Sequence, residues 1–404
     1  MSLTSLAAAL TQALQEGFGH TVPERIGVAV SGGGDSMALL DLLRVWGKAE
    51  LYVASVDHGL RPESAEEVAS VADYVAHHGL KHTALRWDWD RQGNLQQAAR
   101  EGRRRLLRDW AGAQGLGCVA LGHTADDQAE TFLMRLARGS GVDGLSAMEP
   151  ARKEGDITWV RPLLKVRRET LRAYLRERGL AWADDPSNDD ETYDRIKARQ
   201  MMATLEPLGL SVARLTQTSD HMRAQRGLAD WAVERAEQDV MSYDVGDVLF
   251  DRTGLKALPD ALQARLISKA LGWVSGNSYR PRFKALAEVL DAHAPKALHG
   301  CLVIPKAGML RISREWNAVK DLRTGVDAVW DGRWRLARAG GGVSAGLEIA
   351  ALGEAGMAQV PDWRLSARPR QSVLSSPAVW QGDTLVSAPL AGLANGWEAQ
   401  VLAP

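Results

Sequence analysis

Short apolar runs alternate with longer amphipathic stretches over the first half of the chain. The runs at 26–30, 51–56, 81–85 and 117–121 predict strands, and the stretches 36–46, 64–79, 94–112 and 126–138 predict helices. Ahead of them, Leu3, Leu6, Leu10 and Leu14 recur at helical spacing, which predicts an amphipathic helix. Strand and helix in strict alternation imply a parallel sheet covered on both faces. Ligands of such sheets bind at the carboxyl ends of the strands, where the strand order reverses.

After Pro186 the pattern changes. Residues 211–238 form a polar, charge-rich helical stretch, and two further helices are expected between Leu255 and Leu290. A hairpin follows, with strands at 300–304 and 309–313 around a turn at 305–308. From about Val329 the apolar runs are short and broken by Gly and Pro, with a loop at 340–342, so the tail reads as a small β-rich or mixed module. The fold class is therefore α/β. An N-terminal, Rossmann-like parallel-sheet nucleotide-binding domain precedes a helical or mixed substrate domain and that module.

Composition narrows the partners. A formal charge of −1 over 404 residues gives no global basic field, so affinity for nucleic acid must come from local patches. The first basic residue is Arg25, which leaves the leading helix without the charged region of a signal peptide. No apolar run approaches the ~20 residues that span a bilayer, so no membrane partner is expected. The two cysteines, Cys118 and Cys301, make no metal or redox spacing and fit a reduced, cytoplasmic protein.

Four polar motifs fall just after a strand or in the next helix. The first is Ser31-Gly32-Gly33-Gly34-Asp35-Ser36. Glycines let the backbone approach a ligand, the helix's first amides point outward at an anion, and the serines add hydroxyl donors. Asp35 stands where a phosphate-bound magnesium ion needs an oxygen ligand, and the Lys of the common P-loop is absent. The second, Asp57-His58-Gly59, can meet ribose, adenine or a metal-bound phosphate, or merely satisfy its own turn. The third places Arg100 and Arg104 one turn apart on a helix, either as a solvated basic face or as guanidinium forks for phosphates. The fourth runs from His123 through Asp126 and Asp127 to Glu130. Its acids can cap the helix, hold magnesium, bind an ammonium group or accept its proton.

Ser-Gly-Gly-x-Asp-Ser resembles the pyrophosphate loop of the N-type ATP pyrophosphatases, which cleave ATP between its α and β phosphates. The four blocks in this order, followed by Arg161-Pro162-Leu163-Leu164 and by Trp182-Ala183-Asp184-Asp185-Pro186-Ser187-Asn188, are similar to the tRNA(Ile)-lysidine synthetase family. The similarity is dense over the first ~200 residues, resumes at Tyr279 to Lys284 and at Ser313-Arg314-Glu315, and is weak in the tail.

That resemblance implies a catalytic domain at 1–208, a helical linker and tRNA-binding domain at 209–320, and a small tRNA-recognition module at 325–404. It implies ATP and Mg2+ as cofactors, free L-lysine and an isoleucine tRNA with a CAU anticodon as substrates, and it leaves a homodimer open. The wobble cytidine's C2 oxygen attacks the α-phosphate of ATP, and lysine's ε-amine then displaces AMP. Ser31 to Ser36, with Asp57 and His58, are then assigned to ATP, and Asp35 and Asp127 to the metal. Arg100, His123, Asp126, Asp127 and Glu130 serve catalysis. Arg104, Arg195, Lys197, Arg199, Arg280, Arg282 and Lys284 serve the tRNA. Ile196 departs from the family pattern, which has Asn there. The alternatives are a tRNA thiolase built on the same loop, which generally needs paired cysteines or an iron–sulfur site, and a non-catalytic tRNA-binding protein.

Overall fold

The apolar runs are buried on both sides because they form the middle of a sheet. The computed structural model describes residues 3–19, 21–59, 63–89, 95–183, 194–277, 281–306, 308–339 and 346–402. They divide into two compact units, Met1–Gly227 and Leu228–Pro404. In chain order the first unit contains α1 (Leu3–Phe18), β1 (Arg25–Ala29), α2 (Gly34–Trp46), β2 (Glu50–Asp57), α3 (Glu63–His77), β3 (Lys81–Arg86), α4 (Leu95–Ala113) and β4 (Cys118–Leu121). There follow α5 (Ala125–Ala137), α6 (Val142–Leu145), β5 (Ala151–Glu154), β6 (Ile157–Val160), α7 (Arg168–Glu177), α8 (Asp194–Leu205) and the start of α9 (Val212–Val240).

The sheet order is β3-β2-β1-β4-β6-β5, parallel except for the edge strand β5. Val28 pairs with Val53 on one side and Ala120 on the other. The chain thus winds outward from β1 to β3, then crosses to β4, and the reversal lies between β1 and β4. Alternation sorts each strand's residues into two cores. Leu51 and Val53 face Leu39, Leu43, Leu171 and Leu175, while Tyr52 and Ala54 face Leu107, Trp110 and Trp159. The β5–β6 hairpin and α7 were not anticipated. Their segments are short, and α7 buries only Leu171, Tyr174 and Leu175 among charged neighbours.

In the second unit α9 ends and β7 (Met241–Asp244), β8 (Asp247–Asp251), α10 (Arg252–Ala257), α11 (Asp260–Ser275), α12 (Phe283–Leu290), β9 (Lys296–Leu298), β10 (Cys301–Lys306) and β11 (Met309–Arg314) follow. The strands form an antiparallel sheet, β7-β8-β11-β10-β9, against α11 and α12. The expected hairpin is present, but its first strand runs on through Pro305, opposite Leu310. β9 pairs only with Cys301 to Val303, so the proline's missing N–H breaks no ladder there.

The tail contains β12 (Arg323–Gly325), β13 (Trp334–Arg338), β14 (Glu348–Ala351), α13 (Gly353–Gln359), α14 (Arg370–Leu374), β15 (Pro377–Gln381), β16 (Thr384–Ser387) and β17 (Trp397–Val401). They build a four-stranded and a two-stranded sheet around Trp330, Trp334 and Trp397. The loop expected at 340–342 lies outside the described residues. Among the described residues, no helix is long and apolar enough to cross a membrane.

Candidate active site

The loop after β1 turns on one glycine. Gly32 has φ +88°, closed to other residues, whereas Gly33 is extended and caps α2. A Cβ on Gly34 would stand 3.3 Å from the Trp182 ring and press on it. Ser36 Oγ donates to the Gly33 carbonyl at 2.9 Å and accepts from the Ser31 amide at 3.2 Å. That hydroxyl therefore braces the loop from within. The helical bonds of α2 begin with Ser36 N donating to Gly33 O at 3.1 Å, so the amides of Gly34 and Asp35 before it have no intrahelical acceptor. Ala183 donates to Gly32 O at 3.0 Å, which pins the approach to the Asp-Pro-Ser-Asn segment against the loop. Asp184 to Asn188 themselves lie outside the described residues.

The turn after β4 abuts this loop. A Cβ on Gly122 would stand 3.0 Å from Asp35 O and from the backbone of Ser36, so the two turns meet only because residue 122 has no side chain. Thr124 then caps α5 with Asp127 in a capping box: Thr124 N and Oγ1 both donate to Asp127 Oδ2 at 2.8 Å. The other oxygen of Asp127 faces the site. Capping and site chemistry thus share one carboxylate.

Three carboxylates converge on a single guanidinium, that of Arg168, the first residue of α7. Its Nε donates to Asp35 Oδ2 at 3.0 Å, Nη2 to Asp127 Oδ1 at 3.0 Å, and Nη1 to Glu130 Oε1 at 3.3 Å. Glu130, only 1% exposed, also accepts from Arg199 Nε at 3.0 Å, and Arg195 Nε lies 3.1 Å from its Oε2. Asp126, next to Asp127, instead accepts the Arg168 amide at 2.7 Å and so fixes the start of α7. The converging acids are Asp127 and Glu130, one turn apart on α5, together with Asp35.

Burial raises the Asp35 carboxyl above its usual range against the pull of Arg168. Burial works the same way on Asp127, but Arg168, Arg195 and the Thr124 amide hold it below the usual range. His123 is pushed down to about 3, by burial first and then by Arg161, Arg195 and Arg103, against the pull of Asp127. It is a neutral imidazole at physiological pH, and its Nδ1 is buried without a hydrogen-bond partner.

Residues 3–205 match the family model described as the PP-loop domain. A protein named tRNA(Ile)-lysidine synthase from Ruegeria pomeroyi is 48% identical, in an alignment covering 99% of this chain and 97% of that protein. The chain belongs to the tRNA(Ile)-lysidine synthase family. Two further members, from Methylobacterium nodulans and Wolbachia pipientis, are 38% and 32% identical; the alignments cover 65% and 77% of this chain, and 79% and 76% of those proteins.

Asp57 accepts from Ser64 Oγ at 2.5 Å and from the Gly59 amide at 2.8 Å, so it secures its own turn, and His58 stands edge-on to Trp87. Arg104 is engaged by Glu154 of the edge strand. Arg100 lies among Arg103, Arg135 and Arg161, whose guanidinium pKa values are depressed by burial first and then by the charges of Arg100 and other arginines. Arg195 and Arg199, expected on the tRNA, stand against Glu130 with their side chains still 46% and 38% exposed, and Lys197 is exposed. Arg282 and Lys284 are exposed where α12 begins, and Arg280 lies outside the described residues.

Arg168 was not foreseen. A signal was present: Arg167-Arg168 opens a helical segment, where positive charge opposes the helix dipole unless acids stand nearby.

Proposed function

We propose that this chain attaches lysine to C2 of the wobble cytidine of an isoleucine tRNA with a CAU anticodon, at the expense of ATP. The observation that carries this reading is the convergence of Asp35, Asp127 and Glu130 on one cation beside the phosphate loop, in a chain of this family. In the first step the cytidine C2 oxygen forms a bond to the α-phosphorus, and the bond from that phosphorus to pyrophosphate breaks. In the second, lysine's ε-nitrogen bonds to C2 and AMP leaves with the former C2 oxygen. The first amides of α2 and Gly32's open backbone receive the phosphates.

The donor set fits Mg2+. Asp35 Oδ1 is a buried carboxylate oxygen without a hydrogen-bond partner. Mg2+ takes one or two carboxylates plus phosphate oxygens and needs no cage of protein ligands. Asp35 and Asp127 would hold it, and when bound it neutralises charge developing on the leaving pyrophosphate.

Lysine's ε-ammonium, with an unperturbed pKa of about 10.4, must lose a proton before it can attack. Asp127 and Glu130 supply acceptor oxygens already arranged around a cation of similar charge, and lysine's ammonium would compete with Arg168 for them. Neutral His123 can accept a hydrogen bond but carries no charge to repel the amine. Sulfur transfer is disfavoured: burial pushes the Cys118 thiol up to about 11 and the Cys301 thiol up to about 12, so neither is a ready thiolate. ATP and tRNA as substrates are in keeping with a cytoplasmic protein.

The two-step order is testable. Pyrophosphate release should require tRNA and ATP but not lysine, and AMP should appear only when lysine is added. Pyrophosphate released equally well without RNA would instead favour a small-molecule synthetase.

A further inference from the structure

Six residues beyond Asp35 on α2 lies Asp41, fully buried, with both oxygens doubly engaged. Oδ1 accepts from Tyr74 OH of α3 at 2.6 Å and from Arg44 Nη2 at 2.7 Å. Oδ2 accepts from Tyr174 OH of α7 at 2.6 Å and from Arg178 Nε at 3.1 Å. One carboxylate therefore gathers three helices, and each of them meets the candidate site near its start. α2 opens with Gly34, Asp35 and Ser36, α3 sets Glu67 against Gly32 of the phosphate loop, and α7 opens with Arg168.

The spacing is matched. Asp35 and Asp41 are six residues apart on α2, and their partners Arg168 and Tyr174 are six apart on α7. Two polar rungs about 9 Å apart thus join the same two helices, with Leu39, Leu43, Leu171 and Leu175 packed in the same core. Apolar contacts alone tolerate sliding of one helix along another, because a leucine ridge accepts several seats. A buried carboxylate with four donors does not, since any shift leaves a charge without its hydrogen bonds. Buried ion pairs contribute little net stability, and setting register is their best-attested use.

We propose that Asp41 is a positioning residue: it sets the register of α7 against α2 and thereby places the Arg168 guanidinium among Asp35, Asp127 and Glu130. The inference rests on the function proposed above. Asp41 is too deeply buried to touch substrate, so its effect on the reaction passes through Arg168.

The test is a double-mutant cycle on the full chain, read by single-turnover pyrophosphate release with enzyme in excess and corrected for the folded fraction from thermal unfolding. Asp41→Asn should lower the rate about tenfold while the ATP concentration for half-maximal rate moves less than about twofold, the pattern expected for a misplaced group. In an Arg168→Lys background, where the three-way fork is already lost, the same substitution should change the rate less than about twofold. Equal loss in both backgrounds, or a wild-type rate for folded Asp41→Asn, overturns the proposal. Should Asp41→Asn not fold, Tyr174→Phe removes a single hydroxyl from Oδ2 and is read by the same cycle against the same criteria. Absent pyrophosphate release by the wild-type protein would defeat the function reading itself, and the positioning role would fall with it.

Discussion

A guanidinium at the first position of a helix opposes the helix dipole, and Arg168 tolerates that place because three carboxylates surround it. None of the three is close in sequence: Asp35 is 133 residues away, Asp127 is 41 and Glu130 is 38. This separation explains why the acids were legible in the sequence and their partner was not. Asp35, Asp127 and Glu130 stand in local motifs tied to a turn or a helix start, whereas Arg168 takes its meaning from the sheet that brings α2, α5 and α7 together. Asp35→Ala should reduce tRNA-dependent pyrophosphate release by about a hundredfold or more, the scale of losing a principal electrostatic contact, with tRNA affinity in a filter-binding assay nearly unchanged.

His123 makes a second prediction at this scale. Its folded-state pKa of about 3 lies below the unfolded value of about 6.5. Between those values the unfolded chain binds a proton that the folded chain does not, so this residue's contribution to stability falls as pH drops through 6.5. Lowering the pH from 7.5 to 5.5 should destabilise the wild-type protein more than His123→Asn, by on the order of 1 kcal/mol in urea unfolding. Equal sensitivity in the two proteins would mean that His123 is not held neutral.

At the scale of elements, the strands and helices around β1 to α5 followed their apolar periodicity closely. That was possible because buried parallel strands are continuous apolar runs and their covering helices are amphipathic. The β5–β6 hairpin and α7 carried weaker signals: the two strands have four residues each, and β5 and α7 are rich in charge. What sequence spacing could not show is how near two turns come. The turns after β1 and β4 approach until a Cβ on Gly122 would meet Asp35 O at 3.0 Å. Gly122→Ala should therefore force α5 and α2 apart by a few tenths of an ångström and lower the rate of pyrophosphate release by about threefold, a fraction of the roughly hundredfold that a displacement near 1 Å can cost. Its melting temperature should fall only slightly, because the cores on either side of the sheet are untouched; a wild-type rate would show that the turns can separate without harm.

At the scale of the whole molecule, the two compact units have separate cores. The first is built on leucines of α1, α2 and α7, and the second contains a tryptophan-rich group around Trp330, Trp334 and Trp397. Removing residues after Val329 dismantles the tryptophan group and leaves the phosphate loop's unit whole. The shortened protein should bind ATP within about twofold of the full chain while its KM for tRNA rises about tenfold or more, the behaviour of a lost recognition surface rather than a lost catalytic group. Full-length tRNA binding should weaken steeply with salt, because a chain of net charge −1 has only local basic patches to offer the RNA backbone.

The most direct measurement is the product itself. Unmodified isoleucine tRNA with a CAU anticodon is incubated with the protein, ATP, Mg2+ and lysine, then digested to nucleosides and examined by mass spectrometry. The wobble cytidine should be replaced by a nucleoside heavier by lysine's mass less one water. Unchanged cytidine, or a sulfur-containing nucleoside in its place, would contradict it.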